Sequence, residues 1–229
     1  MNSFVKNMIF VLPILILTIS YYLLNTFREF YFNYLMGHES TFPYAIGEWM
    51  QFFFYLIAAI IAIINFLILN KVQATGSNKF SLLAFTSFCF FISMEEISWG
   101  QNIFGFNTPE SIKNINFQDQ ITFHNLNPLQ NEFSLFGMPF SILHIFFITL
   151  GLILGLSFPL RNRKRVKFFI PFIPPWYLSL YYLIPAIYYL SVSFGILEVW
   201  HQELFETILS LGFALLSINN LRESLIYNK

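Results

Sequence analysis

Long apolar runs, broken by short polar stretches, dominate the chain, and about 20 mostly apolar residues make a helix long enough to cross a bilayer. The pattern predicts six helical segments, at about 8–25, 46–69, 80–101, 139–158, 168–192 and 202–220. The first follows Lys6 as a secretory signal would, but Tyr21-Tyr22-Leu23-Leu24-Asn25 offers no small-residue cleavage site, so it reads as a retained anchor. The fifth carries Pro171, Pro174, Pro175 and Pro185 and is expected to be kinked or re-entrant. Between the third and fourth runs lies the stretch 102–138, longer than packing alone requires. In it Thr108-Pro109-Glu110 reads as an N-cap, a first-turn proline and an acid, which predicts a short helix over 109–115. Further on, Asn116–Gln120 and Phe123–Pro128 alternate apolar and hydrogen-bonding residues, as expected of a segment lying on a membrane surface and dipping inward.

Composition agrees with the pattern. Of 229 residues 56% are hydrophobic and 10% charged, with a mean hydropathy of +0.61, too apolar for a soluble domain of this length. The fold class read from the sequence is therefore all-α: one polytopic transmembrane helix bundle over 1–229, with about six spans and a long structured extracytoplasmic loop. The formal charge is zero, which excludes bulk electrostatic attraction to nucleic acid. A lone Cys89 excludes an intrachain disulfide. Charge distribution says more than net charge. With six spans, Lys6, Lys71, Lys79, the cluster Arg161, Arg163, Lys164, Arg165 and Lys167, and then Arg222 and Lys229 share one side, leaving Arg28 and Lys113 on the other. That bias predicts a cell (inner) membrane protein with both termini cytoplasmic.

The acids gather on the opposite side. Glu48 opens the second run, Glu95 and Glu96 close the third, and Glu198, His201, Glu203 and Glu206 open the sixth. On one helix Glu198, Gln202 and Glu206 would stand four apart in a stripe. Ionisable groups at membrane depth are costly and tend to mark functional sites. Adjacent helical residues point about 100° apart, so one member of the Glu95-Glu96 pair is expected to face the bundle and the other to be held by the loop. Glu96 is assigned the working role, because Gly100 leaves its face open, and Glu95 the structural one. His124 is expected to lie over the pair.

The candidate catalytic residues are thus Glu96, Glu95, His201 and His124, and the candidate substrate-binding residues Glu48, Trp99, Gln101, Asn125, Glu198 and Glu206. Imidazole and carboxylate together suit a divalent metal such as zinc, for which His124, His201 and Glu96 are the candidate ligands, although no HExxH spacing is present. His144, on an apolar run, reads as a hydrogen-bonded core histidine. Trp49, Trp99, Trp176 and Trp200 fall near run ends, where tryptophan anchors a helix at the membrane interface.

Two resemblances bear on these residues. The run Glu95-Glu96-Ile97-Ser98-Trp99-Gly100-Gln101, the turn Thr108-Pro109-Glu110 and the segment His124-Asn125-Leu126 resemble a family of uncharacterised bacterial multi-pass membrane proteins, with Glu48-Trp49 and the acidic start of the last run fitting more loosely. That resemblance implies six to eight spans and a site, without a reaction. Glu95-Glu96 followed by Phe140-Ser141-Ile142-Leu143-His144 and then His201 is similar in order to the CAAX-processing and bacteriocin-processing intramembrane proteases. Gly100 stands where their arginine belongs and Phe205 where their asparagine belongs. Their site opens to the cytoplasm, whereas charge bias puts this cluster outside.

Three classes of function follow. The first is an intramembrane hydrolase or transferase acting on a lipid-linked or membrane substrate, with a desolvated glutamate as general base. The second is a non-enzymatic protein that binds lipid or glycan headgroups at the outer leaflet, or scaffolds a partner. Excess carboxylate suits cations, amines and sugar hydroxyls better than phosphates. The third is a cation- or proton-coupled carrier, though no internal repeat is present.

Overall fold

The computed structural model describes residues 1–37, 45–71, 76–135, 137–161 and 170–227. Six helices form its body: α1 (Ser3–Thr26), α2 (Ile46–Lys71), α3 (Gly76–Glu96), α4 (Ile142–Leu156), α5 (Leu180–Ser193) and α6 (Gln202–Tyr227). The apolar runs thus become helices, and among the described residues the fold is all-α apart from one small hairpin. Length separates the six into two groups. Ser3–Thr26, Ile46–Asn70 and Val199–Ile226 are long and apolar enough to cross a membrane, and a fourth candidate is a pair bent by 64°, Lys79–Glu96 with Ser98–Phe104. Helices α4 and α5 have 15 and 14 residues, about 22 Å at the α-helical rise, against a hydrocarbon core of about 30 Å. Six full spans are therefore more than helix length alone supports.

Packing follows the sequence. Helices α2 and α3 pair along their length, α6 lies on α2, α5 contacts both α6 and α4, and α1 flanks the region around Trp176 and α5. The core is filled by Tyr55, Ala58, Ala59 and Ala62 of α2, Phe85 and Cys89 of α3, Tyr181 and Tyr182 of α5, and Phe213 of α6. On α2 small residues turn inward while Phe53, Ile57, Ile60, Ile64 and Leu67 are exposed. Small residues inside and bulk outside is the pattern of helices that pack closely in an apolar solvent. Helix α4 repeats it: a Cβ on Gly151 would stand 2.5 Å from the Tyr182 carbonyl oxygen of α5, and one on Gly155 would stand 2.5 Å from the Leu183 side chain.

Two prolines inside helices are accommodated rather than avoided. Pro13 of α1 has no N–H for the Ile9 carbonyl one turn earlier. The Tyr181 hydroxyl of α5 donates to that carbonyl at 3.0 Å, so the defect becomes a tie between helices. Pro185 lies within α5, whose regular helix starts at Leu180 after a tight turn at Trp176–Leu178, twelve residues later than the predicted 168.

The stretch between α3 and α4 is folded. Residues Glu110–Lys113 make one helical turn, shorter than the predicted 109–115, and Phe133–Leu135 pairs antiparallel with Met138–Phe140, Phe133 facing Phe140. Thr108 is not the N-cap: its hydroxyl donates to the Asp119 carbonyl at 2.5 Å and accepts from the Gln101 amide at 2.7 Å. His38, Glu39 and the cluster Arg163, Lys164, Arg165 and Lys167 lie outside the described residues.

Candidate functional site

Helix α3 stops abruptly at Glu96. Ser98, Trp99 and Gly100 follow with φ of 48°, 55° and 78°, three successive left-handed residues, before a short helix resumes at Gln101. Left-handed backbone costs a non-glycine residue roughly 1–2 kcal/mol, so Ser98 and Trp99 must be held there. The Trp99 indole N–H donates to Glu95 Oε1 at 2.5 Å, and the Ser98 hydroxyl donates to Gln120 Oε1 at 2.8 Å. Gly100 serves the turn itself, since it carries the largest positive φ of the three and a Cβ there would stand 2.7 Å from the Phe104 ring. Its expected role of opening the face of Glu96 is corrected accordingly.

The two adjacent glutamates separate as the helical rotation requires. Glu95 is buried and turns to the loop: its Oε2 accepts from the backbone N–H of Phe123 at 2.6 Å and of His124 at 3.2 Å, and His124 Nδ1 lies 3.4 Å from it. One carboxylate thereby ends the helix, holds the strained turn and fastens the loop. Glu96 turns to the bundle. No hydrogen bond or ion pair joins it to another described residue, and the charges within its electrostatic reach are Glu206, Glu203, Glu48 and Glu95.

The carboxylates around Glu96 come from two other helices. Glu48, in the first turn of α2, accepts from the Ala45 backbone N–H at 2.6 Å. Glu203 Oε2 accepts from the Gln51 amide at 2.7 Å, and Glu206 Oε1 accepts from the Tyr189 hydroxyl of α5. All four are partly accessible to solvent while enclosed by protein, so they line a recess between α2, α3 and α6. Gln51 is fully buried beneath them, and its Oε1 has no hydrogen-bond partner. The Gln51 and Gln202 amides and the Tyr189 hydroxyl donate to these carboxylates, the Tyr55 phenol lies within electrostatic reach of Glu96 and Glu206, and no lysine or arginine among the described residues pairs with Glu48, Glu96 or Glu206.

The remaining predicted residues divide between this recess and its surroundings. His201 accepts from, or donates to, the Tyr31 hydroxyl through Nδ1 at 2.9 Å, with the Phe32 ring 6.2 Å away. Burial pushes the Tyr31 hydroxyl up to about 12, so it stays a neutral phenol at ordinary pH. Tyr31 starts a widened turn in which Met36 N–H donates to the Tyr31 carbonyl at 3.1 Å. His124, His201 and Glu96 are not brought together as a ligand set. Each histidine has a different partner, and no group of three or more His, Cys, Asp or Glu among the described residues is arranged to hold a metal ion.

Glu198 leaves the predicted stripe, because the chain is extended there (ψ 155°), the regular helix starts at Gln202, and the Glu198 side chain is exposed. Gln101 and Asn125 are buried and spent on the loop itself: Gln101 Oε1 accepts from Ile121 N–H at 2.9 Å, and the Asn125 amide donates to Gln118 Oε1 at 2.8 Å. His144 is buried as expected, with Nδ1 3.3 Å from the Ser193 hydroxyl. Its ring also lies 5.5 Å from that of Tyr189, whose hydroxyl donates to Glu206. Gln51 and Tyr189 escape a reading of the sequence. A glutamine three residues after Glu48 on the same apolar helix was the available signal; Tyr189 had none beyond its own hydroxyl.

Comparison with known protein families, with curated proteins and with solved structures returns no match.

Proposed function

We propose that the chain is a multi-pass membrane protein of the inner cell membrane, six helices embedded and both termini cytoplasmic, whose outward recess binds a ligand carrying an ammonium group. One observation carries this reading: Glu48, Glu96 and Glu206, from three helices, face one recess, and no lysine or arginine among the described residues forms an ion pair with any of them. At an effective dielectric constant of about 20, two like unit charges about 4 Å apart repel by about 4 kcal/mol, and the repulsion falls in inverse proportion to distance. Positive charge that donates hydrogen bonds relieves that repulsion. A primary ammonium offers three donors on a compact charge. Trp49 and Phe52, whose rings are 5.8 Å apart at the same end of α2, suit its alkyl part. The loop fastened by Glu95 is the natural cover.

A second reading has its own support. Glu96 makes no hydrogen bond to another described residue while Glu206 accepts from a phenol, and two carboxylates in unlike surroundings suit a base and an acid of a hydrolase or transferase.

Thermal unfolding of the detergent-purified full chain tests the first reading, with ethylammonium and spermidine against equal ionic strength of sodium chloride. The ammonium ligands are expected to raise Tm, less so as pH falls and protons compete for the carboxylates, and Glu96→Gln is expected to remove the effect. An equal shift in sodium chloride, or an undiminished shift in Glu96→Gln, would refute it.

A further inference from the structure

At the end of the bundle opposite the carboxylates, the last turns of α2 and α6 and the chain before α5 border a half-open cavity of about 1050 Å³. That volume lies at the upper end for small-molecule sites, about 300–1,000 Å³. One wall is charged and internally settled. Arg161 donates to the carbonyls of Ile170 and Ile173, to Asn220 Oδ1 at 2.8 Å and to Glu223 Oε2 at 2.8 Å, and the other oxygen of Glu223 accepts from Asn219 at 3.0 Å. Those bonds occupy Glu223 and all four terminal N–H groups of Arg161, so the pair adds no net charge.

Two further cations line the same space. Lys6 and Arg222 are both partly exposed, neither has an acidic partner among the described residues, and Lys6 Nζ lies 5.9 Å above the Tyr177 ring. Deeper in, Asn65 lines the cavity at 2% exposure and makes no hydrogen bond to a described residue. Its Oδ1 is sealed off without a partner, so the amide NH₂ is the half left to the cavity. The orphaned carbonyl costs about 1–3 kcal/mol, while the NH₂ is placed to donate into the cavity. Leu69, Leu82 and Phe158 give the rest of the lining an apolar character.

We propose that this cavity binds an anionic phospholipid, its phosphate held by Lys6, Arg222 and the Asn65 amide and its chain laid along Leu69, Leu82 and Phe158. Unpaired cations and an amide NH₂ turned to the cavity fit a phosphate, and the apolar lining fits a tail; a free phosphate ion would use only the first. The site is separate from the carboxylate recess and does not depend on what that recess binds.

The test is thermal unfolding of the full chain in detergent with added phosphatidylglycerol, with monoolein as the phosphate-free lipid and inorganic phosphate as the tail-free anion. Phosphatidylglycerol alone is expected to raise Tm by several degrees, and Lys6→Ala and Arg222→Ala are each expected to weaken the half-maximal concentration about tenfold. Asn65→Leu separates ligand binding from folding: without lipid it is expected to be as stable as the parent or more so, and with lipid to show no shift. An equal shift with monoolein or with phosphate would overturn the lipid assignment. A full lipid response in Asn65→Leu and in both cation variants would overturn the site.

Discussion

At the scale of single residues, Glu95 and Glu96 show how one peptide unit can hold two different chemistries. Glu95 accepts from the Trp99 indole and from two backbone N–H groups, while Glu96 has no such partner among the described residues and the charges that reach it are like charges. Charge-assisted bonds to a buried carboxylate are each worth about 1.5–3 kcal/mol. Glu95→Gln is therefore expected to lower stability by about 3 kcal/mol, because the amide keeps one acceptor and brings two donors to face N–H groups. Glu96→Gln is expected to leave stability unchanged or to raise it. Thermal unfolding of both variants in detergent decides the matter, and the opposite order would show the pair reversed. This division was legible in the sequence, since it needs only the rotation per residue of a helix. The assignment of roles rested there on Gly100, whose actual work is the left-handed turn. The pairing of His201 with Tyr31 was not legible, because 170 residues separate them and nothing in either neighbourhood names the other.

At the scale of elements, the break after α3 is the feature on which the recess depends. Three left-handed residues let the chain leave the helix axis within a single turn, and the fragment beyond is bent by 64°. A continuous helix to residue 101 would have carried the loop away from Glu95. Gly100→Ala is expected to cost about 1–2 kcal/mol, the left-handed penalty for an added Cβ, with the Phe104 ring displaced outward. Limited proteolysis between 102 and 138 is the more telling measurement, because the variant is expected to be cut faster there while the helices survive. Unchanged cleavage would mean that the turn does not hold the loop. The apolar runs announced six helices because hydropathy integrates over many positions. They could not announce this turn, which depends on side-chain bonds to Glu95 and Gln120 rather than on turn-forming residues. The same limit applies to the stretch 102–138, whose order comes from amides such as Gln101, Asn116 and Asn125 donating and accepting within the loop. The late start of α5 is a third case, since prolines predict a disruption but not the position at which the helix recovers.

At the scale of the whole molecule, the carboxylate recess and the cation-lined cavity occupy opposite ends of one bundle. In the proposed orientation the recess faces outward and the cavity faces the cytoplasm. Single cysteines at Lys113 and Ser134, in a Cys89→Ala background, are expected to react with an impermeant thiol reagent added to intact cells, and one at Arg222 only after lysis. Cys89 is fully buried, and the two outer positions are accessible in the fold. Labelling of Arg222→Cys in intact cells would invert the arrangement. The two ends also have a joint effect that neither has alone. In that proposed orientation, ionised carboxylates at the outer pole and Lys6 and Arg222 at the inner one would make the protein an electric dipole standing along the membrane normal. A resting potential, negative inside, exerts about 2.3 kcal/mol per elementary charge for each 100 mV crossed. In the proposed orientation the field would pull the cationic pole inward and the anionic pole outward, so an energised membrane would work as an aligning force on this protein and a depolarised one would relax it.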